Sequence, residues 1–390
     1  MPVSMLSAVT RAACLGSGVV MVFKNRGKAI FCRVFFISLL FVTAGGCFSC
    51  SKKHTPKVTS KLIIDAPSIN DHSYNENAWQ GLISFYNDEW GDEKYFGTLY
   101  DVVPVAGQGQ SVSTLREICA EKTDLLVMVG FVFSDPLRIV APMYPEQKFL
   151  SIDGSIESLS NILCIQFATE EGSYLVGAAV ALQAQMDGIP NAQFGFIGGV
   201  RSDLIDDFEA GYVAGIRSII PTAEIYEFYV DSWNAPALAA EKTKKWYDGN
   251  VYAVYSAAGG SGNGTIAQAV IHRKQGKNVW AIGVDVDQYA EGFYGVGKSA
   301  VLTSMTKNID AAIVHGLKLV EKNAFVSGLK VLGLQEGAVG FTTTNAEFKS
   351  DVQKQLTGIM ANIITGKTVI PSVRTDRDAV NGVLSTVIKE

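Results

Sequence analysis

Three aspartates stand where apolar runs of the sequence give out. Asp65 ends the run 61–66, Asp153 follows Phe149-Leu150-Ser151-Ile152, and Asp285 follows Ala281-Ile282-Gly283-Val284. A fourth run, 251–256, opens into the glycine-rich stretch 257–264, AAGGSGNG. A cleft lined by carboxylates accepts hydroxyl, amide or ring N–H donors and repels phosphate. A lone aspartate at a strand end is ordinarily a cap or a loop acid. Three at equivalent strand ends point to one shared cleft. The glycines let the backbone come close to a ligand at a helix N-terminus.

Other chemistries lack their residues. Gly262-Asn263-Gly264-Thr265-Ile266-Ala267 has G-x-G-x-x-A spacing, with Asp285 about 20 residues on, but it does not open a first βαβ unit. Thr265 stands where a P-loop needs lysine, and Asn263 stands where a G-x-S-x-G elbow needs its last glycine. The four histidines, His54, His72, His272 and His315, are too dispersed for a metal motif. Carboxylate pairs also serve glycosidases, yet nothing supplies a nucleophile. The chain reads as a binding protein with neither metal nor cofactor.

These residues need a frame, and the hydrophobic pattern predicts one. Strand-like runs at 61–66, 125–129, 148–152, 193–197, 223–230, 251–256, 279–284 and 300–305 alternate with helical patterns. The helices fall at 75–90, 113–120, 171–185, 206–219, 235–247 and 264–274. Alternation of this kind implies parallel sheets with helices on both faces, and ligands then bind beyond the carboxyl ends of the strands. About 310 residues exceed one core, so two α/β lobes are expected. The run 162–168 breaks the rhythm and marks a first crossing between them.

The N-terminal 50 residues are a different material. Net charge over 390 residues is −5, from 33 basic and 38 acidic side chains. Five of the basic ones (Arg11, Lys24, Arg26, Lys28, Arg33) and none of the acids lie in the first 50, leaving the rest at 28 against 38. An acidic body argues against a nucleic-acid partner. The basic stretch 24–28 precedes an apolar run, 34–44, too short to span a bilayer, which ends in Ala44-Gly45-Gly46-Cys47. The pattern resembles a lipoprotein signal, with Cys47 the acylated residue and Met21 the expected start, although Ala44 replaces the usual leucine. An ordinary secretory signal is the alternative. The polar segment 51–61 reads as a tether on an anionic lipid surface. Cys119 and Cys164, both in apolar runs, are expected to be buried thiols rather than a disulfide framework.

The motifs Asp71-His72-Ser73-Tyr74-Asn75, Lys148-Phe149-Leu150-Ser151-Ile152-Asp153 and Glu170-Glu171-Gly172-Ser173-Tyr174-Leu175-Val176-Gly177 occur in that order. They are followed by Phe208-Glu209-Ala210-Gly211, the glycine-rich stretch, 282–289 (IGVDVDQY) and 301–307 (VLTSMTK). Together they resemble the basic-membrane-protein family of substrate-binding lipoproteins, of the purine-nucleoside-receptor type. The resemblance implies a type I periplasmic-binding-protein fold, with two doubly wound parallel-sheet lobes joined by three hinge crossovers. Its expected organisation is 1–46 extension and signal peptide, 47–60 anchor and tether, 61–166 first lobe and 167–288 second lobe. Residues 289–328 then return to the first lobe, 329–371 return to the second, and 372–390 form a surface tail.

The same resemblance implies a purine stacked between Tyr74 and Tyr255, where family receptors carry phenylalanine. Base contacts map to Asn75 and Asp153, and ribose contacts to Asp285. Asp65 and Lys307 lie nearby, Gly259 and Gly260 line the pocket, and Phe208 is a further possible contact. The implied role is a monomeric, membrane-anchored receptor, in the periplasm or on the cell surface, passing guanosine, inosine or adenosine to an ABC permease. The same fold binding ribose, an anchored nucleoside hydrolase, and a host-matrix-binding surface protein are the rival readings.

Overall fold

A computed structural model describes residues 56–89, 91, 94–105 and 108–389. The signal, Cys47 and residues 51–55 of the tether lie outside the described residues. In chain order the strands of the first half are β1 Ser60–Ile64, β2 Tyr100–Pro104, β3 Leu125–Val129, β4 Phe149–Ile152, β5 Ile162–Phe167, β6 Gln193–Gly198, β7 Ile225–Tyr229 and β8 Val251–Ala257. There follow β9 Trp280–Asp285, β10 Phe293–Gly295, β11 Lys298–Ser299, β12 Val301–Lys307, β13 Gly328–Leu332, β14 Val339–Phe341 and β15 Ile388–Lys389. The helices are α1 Tyr74–Phe85, α2 Gln108–Ala120, α3 Ser134–Val140, α4 Thr169–Met186 and α5 Asp203–Ile219, then α6 Pro236–Asp248, α7 Asn263–Lys274, α8 Ile309–Glu321, α9 Ser350–Ile364 and α10 Arg377–Leu384.

Two sheets result. The first is parallel throughout, in the order β13-β5-β4-β3-β1-β2. The second runs β14-β12-β9-β8-β6-β7-β15 and is parallel except for β14. Central strands covered by helices on both faces must be apolar at every position. Hence β3 (LLVMV) and β8 (VYAVYSA) are buried from end to end. Edge strand β2 is largely part-exposed and ends on Pro104, where a missing N–H costs least. Cys119 and Cys164 are buried free thiols, and burial raises the pKa of each.

The chain passes between the lobes three times: at Ala168, between Lys307 and α8, and in 333–338. These crossings are tied together. The Ala168 N–H donates to Leu332 O and the Asn308 N–H to Ala338 O, each at 2.9 Å, while the Leu334 N–H donates to Glu171 Oε2 at 2.7 Å. Helix α4 opens the second lobe and is buried along most of its length. A Cβ on Gly177, Gly211 or Gly215 would strike backbone of the facing helix, so small residues fix the α4–α5 approach.

Two expected boundaries are corrected. Residues 289–307 do not return to the first lobe. β12 pairs with β9, because its apolar run continues the second sheet before any crossing. The first lobe instead regains α8 and β13, the latter pairing with β5, so 329–332 also belong there. Nor is 372–390 a surface extension. β15 pairs with β7, α10 buries Val380 and Leu384 against Ala210 of α5, and Arg374 reaches Glu170 at 2.7 Å and Asp207 at 3.2 Å. Among the described residues, no helix is long and apolar enough to cross a membrane.

Candidate functional site

The carboxyl ends of both sheets face one cavity of about 220 Å³. It is below the roughly 300–1,000 Å³ of drug-sized pockets, a volume for a small polar molecule and not for a dinucleotide. Asp65 follows β1, Phe131 follows β3, Asp153 follows β4, Trp233 follows β7, Gly259 and Gly260 follow β8, Asp285 ends β9 and Lys307 ends β12; all line it. Asp153 and Asp285 occupy matching places in the two lobes, each turning the chain off its strand at positive φ, +59° and +68°. Aspartate tolerates that conformation better than most side chains.

The polar end is dense. Lys307 Nζ donates to Asp153 Oδ2 at 2.6 Å, and both side chains are excluded from solvent. Tyr74 Oη donates to the same oxygen at 2.8 Å, whereas Asp153 Oδ1 is buried without a partner. The ammonium also lies 5.0 Å from the ring centres of Tyr74 and Phe167 and 5.6 Å from that of Phe208. Burial raises the Asp285 carboxyl to about 6, with Asp153 and Asp71 adding to the rise and Lys307 and the Ser73 hydroxyl opposing it. Burial, then the charge of Asp153, pushes the Tyr74 phenol well above its ordinary range.

Asn75 lines the cavity on the first turn of α1. Its backbone N–H and Nδ2 both donate to Asp71 Oδ2, at 2.9 and 2.8 Å, and Asp71 Oδ1 accepts the N–H groups of Ser73 and Glu76. Asp71, a cavity residue absent from the sequence-derived set, therefore orients the whole opening of α1. From the same tripeptide three consecutive residues bond across to the second lobe. Asn263 Nδ2 donates to Asp71 O at 3.1 Å, Gln288 Nε2 donates to His72 O at 2.8 Å, and Ser73 Oγ donates to Asp285 Oδ2 at 2.7 Å. The lobes stand closed on the cavity, held by protein-to-protein bonds.

Tyr255 is a correction. It is fully buried away from the cavity, its hydroxyl 3.3 Å from Ser173 Oγ and its ring packed on Phe196, Phe208 and Tyr212. Alternation along β8 turns position 255 toward α4 and α5, so the aromatic wall of the second lobe is Trp233 and Phe208 instead. Trp233 also meets Phe131 of the first lobe edge-on, with centroids 6.2 Å apart. The strand-end rule that selected the aspartates would have found Trp233 and Phe131 had it been applied to β7 and β3. The glycine-rich loop has packing duties. Gly259 holds φ +53°, and a Cβ on Gly264 would strike the Pro236 carbonyl of α6.

The family model for Bmp, described as ABC transporter substrate-binding protein PnrA-like, matches residues 58–374. The chain belongs to the Bmp family. One relative, the ABC transporter nucleoside-binding protein BmpA of Lactococcus lactis subsp. cremoris, is 30% identical over 334 residues, covering 83% of this chain and 91% of the relative. The CD4+ T-cell-stimulating antigen of Listeria monocytogenes is 28% identical over 360 residues, 89% of this chain and 99% of the relative. The fold matches a crystal structure of ABC transporter solute-binding proteins from Aeropyrum pernix K1. There the TM-score is 0.73 at 22% identity, with 84% of this chain and 96% of that one covered. The Bmp chain described here is thus a substrate-binding protein of an ABC transporter with the type I fold, and not an enzyme.

Proposed function

We propose that this Bmp protein binds a purine nucleoside between its lobes and delivers it to an ABC permease. The observation that carries the reading is one closed cavity in which aromatic rings, Tyr74, Trp233 and Phe208, stand beside the acceptors Asp153 and Asp285. A purine offers flat faces to the rings, and its ribose offers hydroxyls to the carboxylates. Four acidic side chains and one lysine line the cavity, a balance that disfavours a 5′-phosphate and admits the neutral nucleoside. A relative that is named a nucleoside-binding protein supports the same class. The sugar belongs beside Asp285 and Lys307, and the base among the rings on the side of Asn75 and Asp153, where the resemblance maps it.

The protein acts as a monomer outside the cytoplasm, anchored by acylated Cys47, with 51–61 as tether. Incorporation of labelled palmitate that is lost in Cys47→Ala supports this, and equal labelling of the variant contradicts it. Mass spectrometry of small molecules released by denaturing the purified protein tests the ligand. A purine nucleoside is the expected species; a free pentose or hexose in its place overturns the assignment.

A further inference from the structure

The Trp233 indole leans on a residue that has no side chain. Gly199 follows β6 and lies outside the cavity lining, whereas Trp233 is part of it. A Cβ built on Gly199 would stand 2.1, 2.4 and 3.0 Å from Cζ3, Cε3 and Cη2 of the indole, well inside van der Waals contact. The φ of Gly199 is not positive, so the backbone does not itself call for glycine. Nor is either backbone free to give way. The Gly199 N–H donates to Ala257 O at 3.0 Å, and the Gly199 carbonyl accepts the Asp231 N–H at 2.9 Å. On the tryptophan side the chain is pinned by Ser261 of the glycine-rich stretch, which is fully buried. The Ser261 N–H donates to Trp233 O at 3.1 Å, while its Oγ donates to Ser232 O and accepts the Ala235 N–H, both at 2.8 Å. What remains free to move is the ring.

We propose that Gly199 is a positioning residue for the ligand: by lacking a side chain it seats the Trp233 indole back against the end of β6, and so leaves the cavity deep enough for a planar base beside that ring. A methyl group at 199 would have to push the indole by more than an ångström to reach ordinary contact. Phe131 already meets the ring edge-on from the first lobe. Movement into a cavity of about 220 Å³ takes the space of the base, and movement away from it removes the face on which the base stacks. All three clashing atoms belong to the fused outer ring of the indole, which phenylalanine lacks. The two positions are therefore coupled: glycine is required at 199 because tryptophan stands at 233. This inference rests on the nucleoside reading with Trp233 against the base.

The test is a double-mutant cycle read by calorimetric titration with inosine and adenosine. Gly199→Ala in the otherwise wild-type chain should weaken nucleoside binding by about fivefold or more, the low end of a lost stacking contact. In the Trp233→Phe background the same change should weaken it by less than about twofold. A glycine needed only to end the strand would lose the same affinity in both backgrounds. Losses that agree within about twofold therefore overturn the proposal. A Gly199→Ala chain that folds only together with Trp233→Phe supports it through the same coupling, and one that folds in neither background overturns it. A crystal structure of ligand-free Gly199→Ala gives an independent readout. An indole turned from its place beside an unmoved 198–200 backbone is expected, and an unmoved indole contradicts the inference. If wild type takes no nucleoside, the nucleoside reading has failed, and the crystal structure alone decides whether Gly199 seats the ring.

Discussion

Trp233 and Tyr255 carry opposite predictions although both are aromatic side chains near the ends of strands. Trp233 lines the cavity, and Tyr255 lies behind Phe208 in the core. Stacking a base on an aromatic ring is worth about 1–3 kcal/mol, so Trp233→Ala should weaken nucleoside binding by about fivefold to 150-fold in calorimetric titration. Tyr255→Phe loses only the long contact to Ser173 and should leave affinity unchanged within about twofold. A reversal of the two would return Tyr255 to the ligand. Asp285 predicts the pH profile. Its carboxyl, lifted to about 6 by burial, must be ionised to accept a ligand hydroxyl. Binding then releases the proton it holds at low pH, and affinity should fall by up to about tenfold per unit as pH drops below 6. An affinity flat from about pH 5 to 8 would remove Asp285 from the ligand contacts.

At the scale of elements, the β1–α1 loop closes the molecule as well as lining its cavity. Residues 71, 72 and 73 each bond to the second lobe, through Asn263, Gln288 and Asp285. Gln288 lies outside the cavity lining, and its Oε1 accepts the Val284 N–H at 2.9 Å. Gln288→Ala therefore cuts one cross-lobe bond without touching ligand. The ligand-free variant should show a larger radius of gyration by small-angle scattering than ligand-free wild type, and ligand should restore the compact value. Equal radii without ligand would mean that the loop does not hold the lobes together. This loop was only half legible in the sequence. Tyr74 and Asn75 were named only through the family resemblance, and the role of Asp71 depends on a reach across the cleft that no periodicity reports.

For the whole molecule, the two-lobe α/β frame was legible because buried parallel strands are continuous apolar runs, as in β3, β4 and β8. The crossings were less so. β12 was legible as the apolar run 300–305 but β13 (GLKVL) was not, and only pairing with β9 or β5 assigns each to a lobe. The last 19 residues were illegible for the same reason. Their sequence looks polar, and Arg374 and Arg377 acquire meaning only against Glu170, Asp207, Asp203 and Asp206. Two buried acids of the second lobe, Glu170 in that cluster and Glu209 beside Glu227, set the pH response of stability. Burial lifts Glu170 to about 7, with Asp207 adding to it and Arg374 opposing; burial and the adjacent Glu227 lift Glu209 to about 9. Both are raised above the unfolded value, so the folded state keeps protons that the unfolded chain has released. Stability from these groups is complete below about 4.5 and is lost as pH climbs through 7 and 9. The melting temperature should fall steadily from about pH 5 to 8 at fixed salt, and a rise over that window would contradict the burial of these acids.

The central claim is that the cavity is built for a nucleoside, with rings for the base and strand-end carboxylates for the sugar. Isothermal titration of the purified body with inosine, guanosine, adenosine, adenosine 5′-phosphate and D-ribose tests it most directly. One site per chain is expected, with at least one of the three nucleosides bound at micromolar affinity or tighter, and the phosphate and the free sugar bound far more weakly. Tight binding of ribose with no binding of any nucleoside would contradict it.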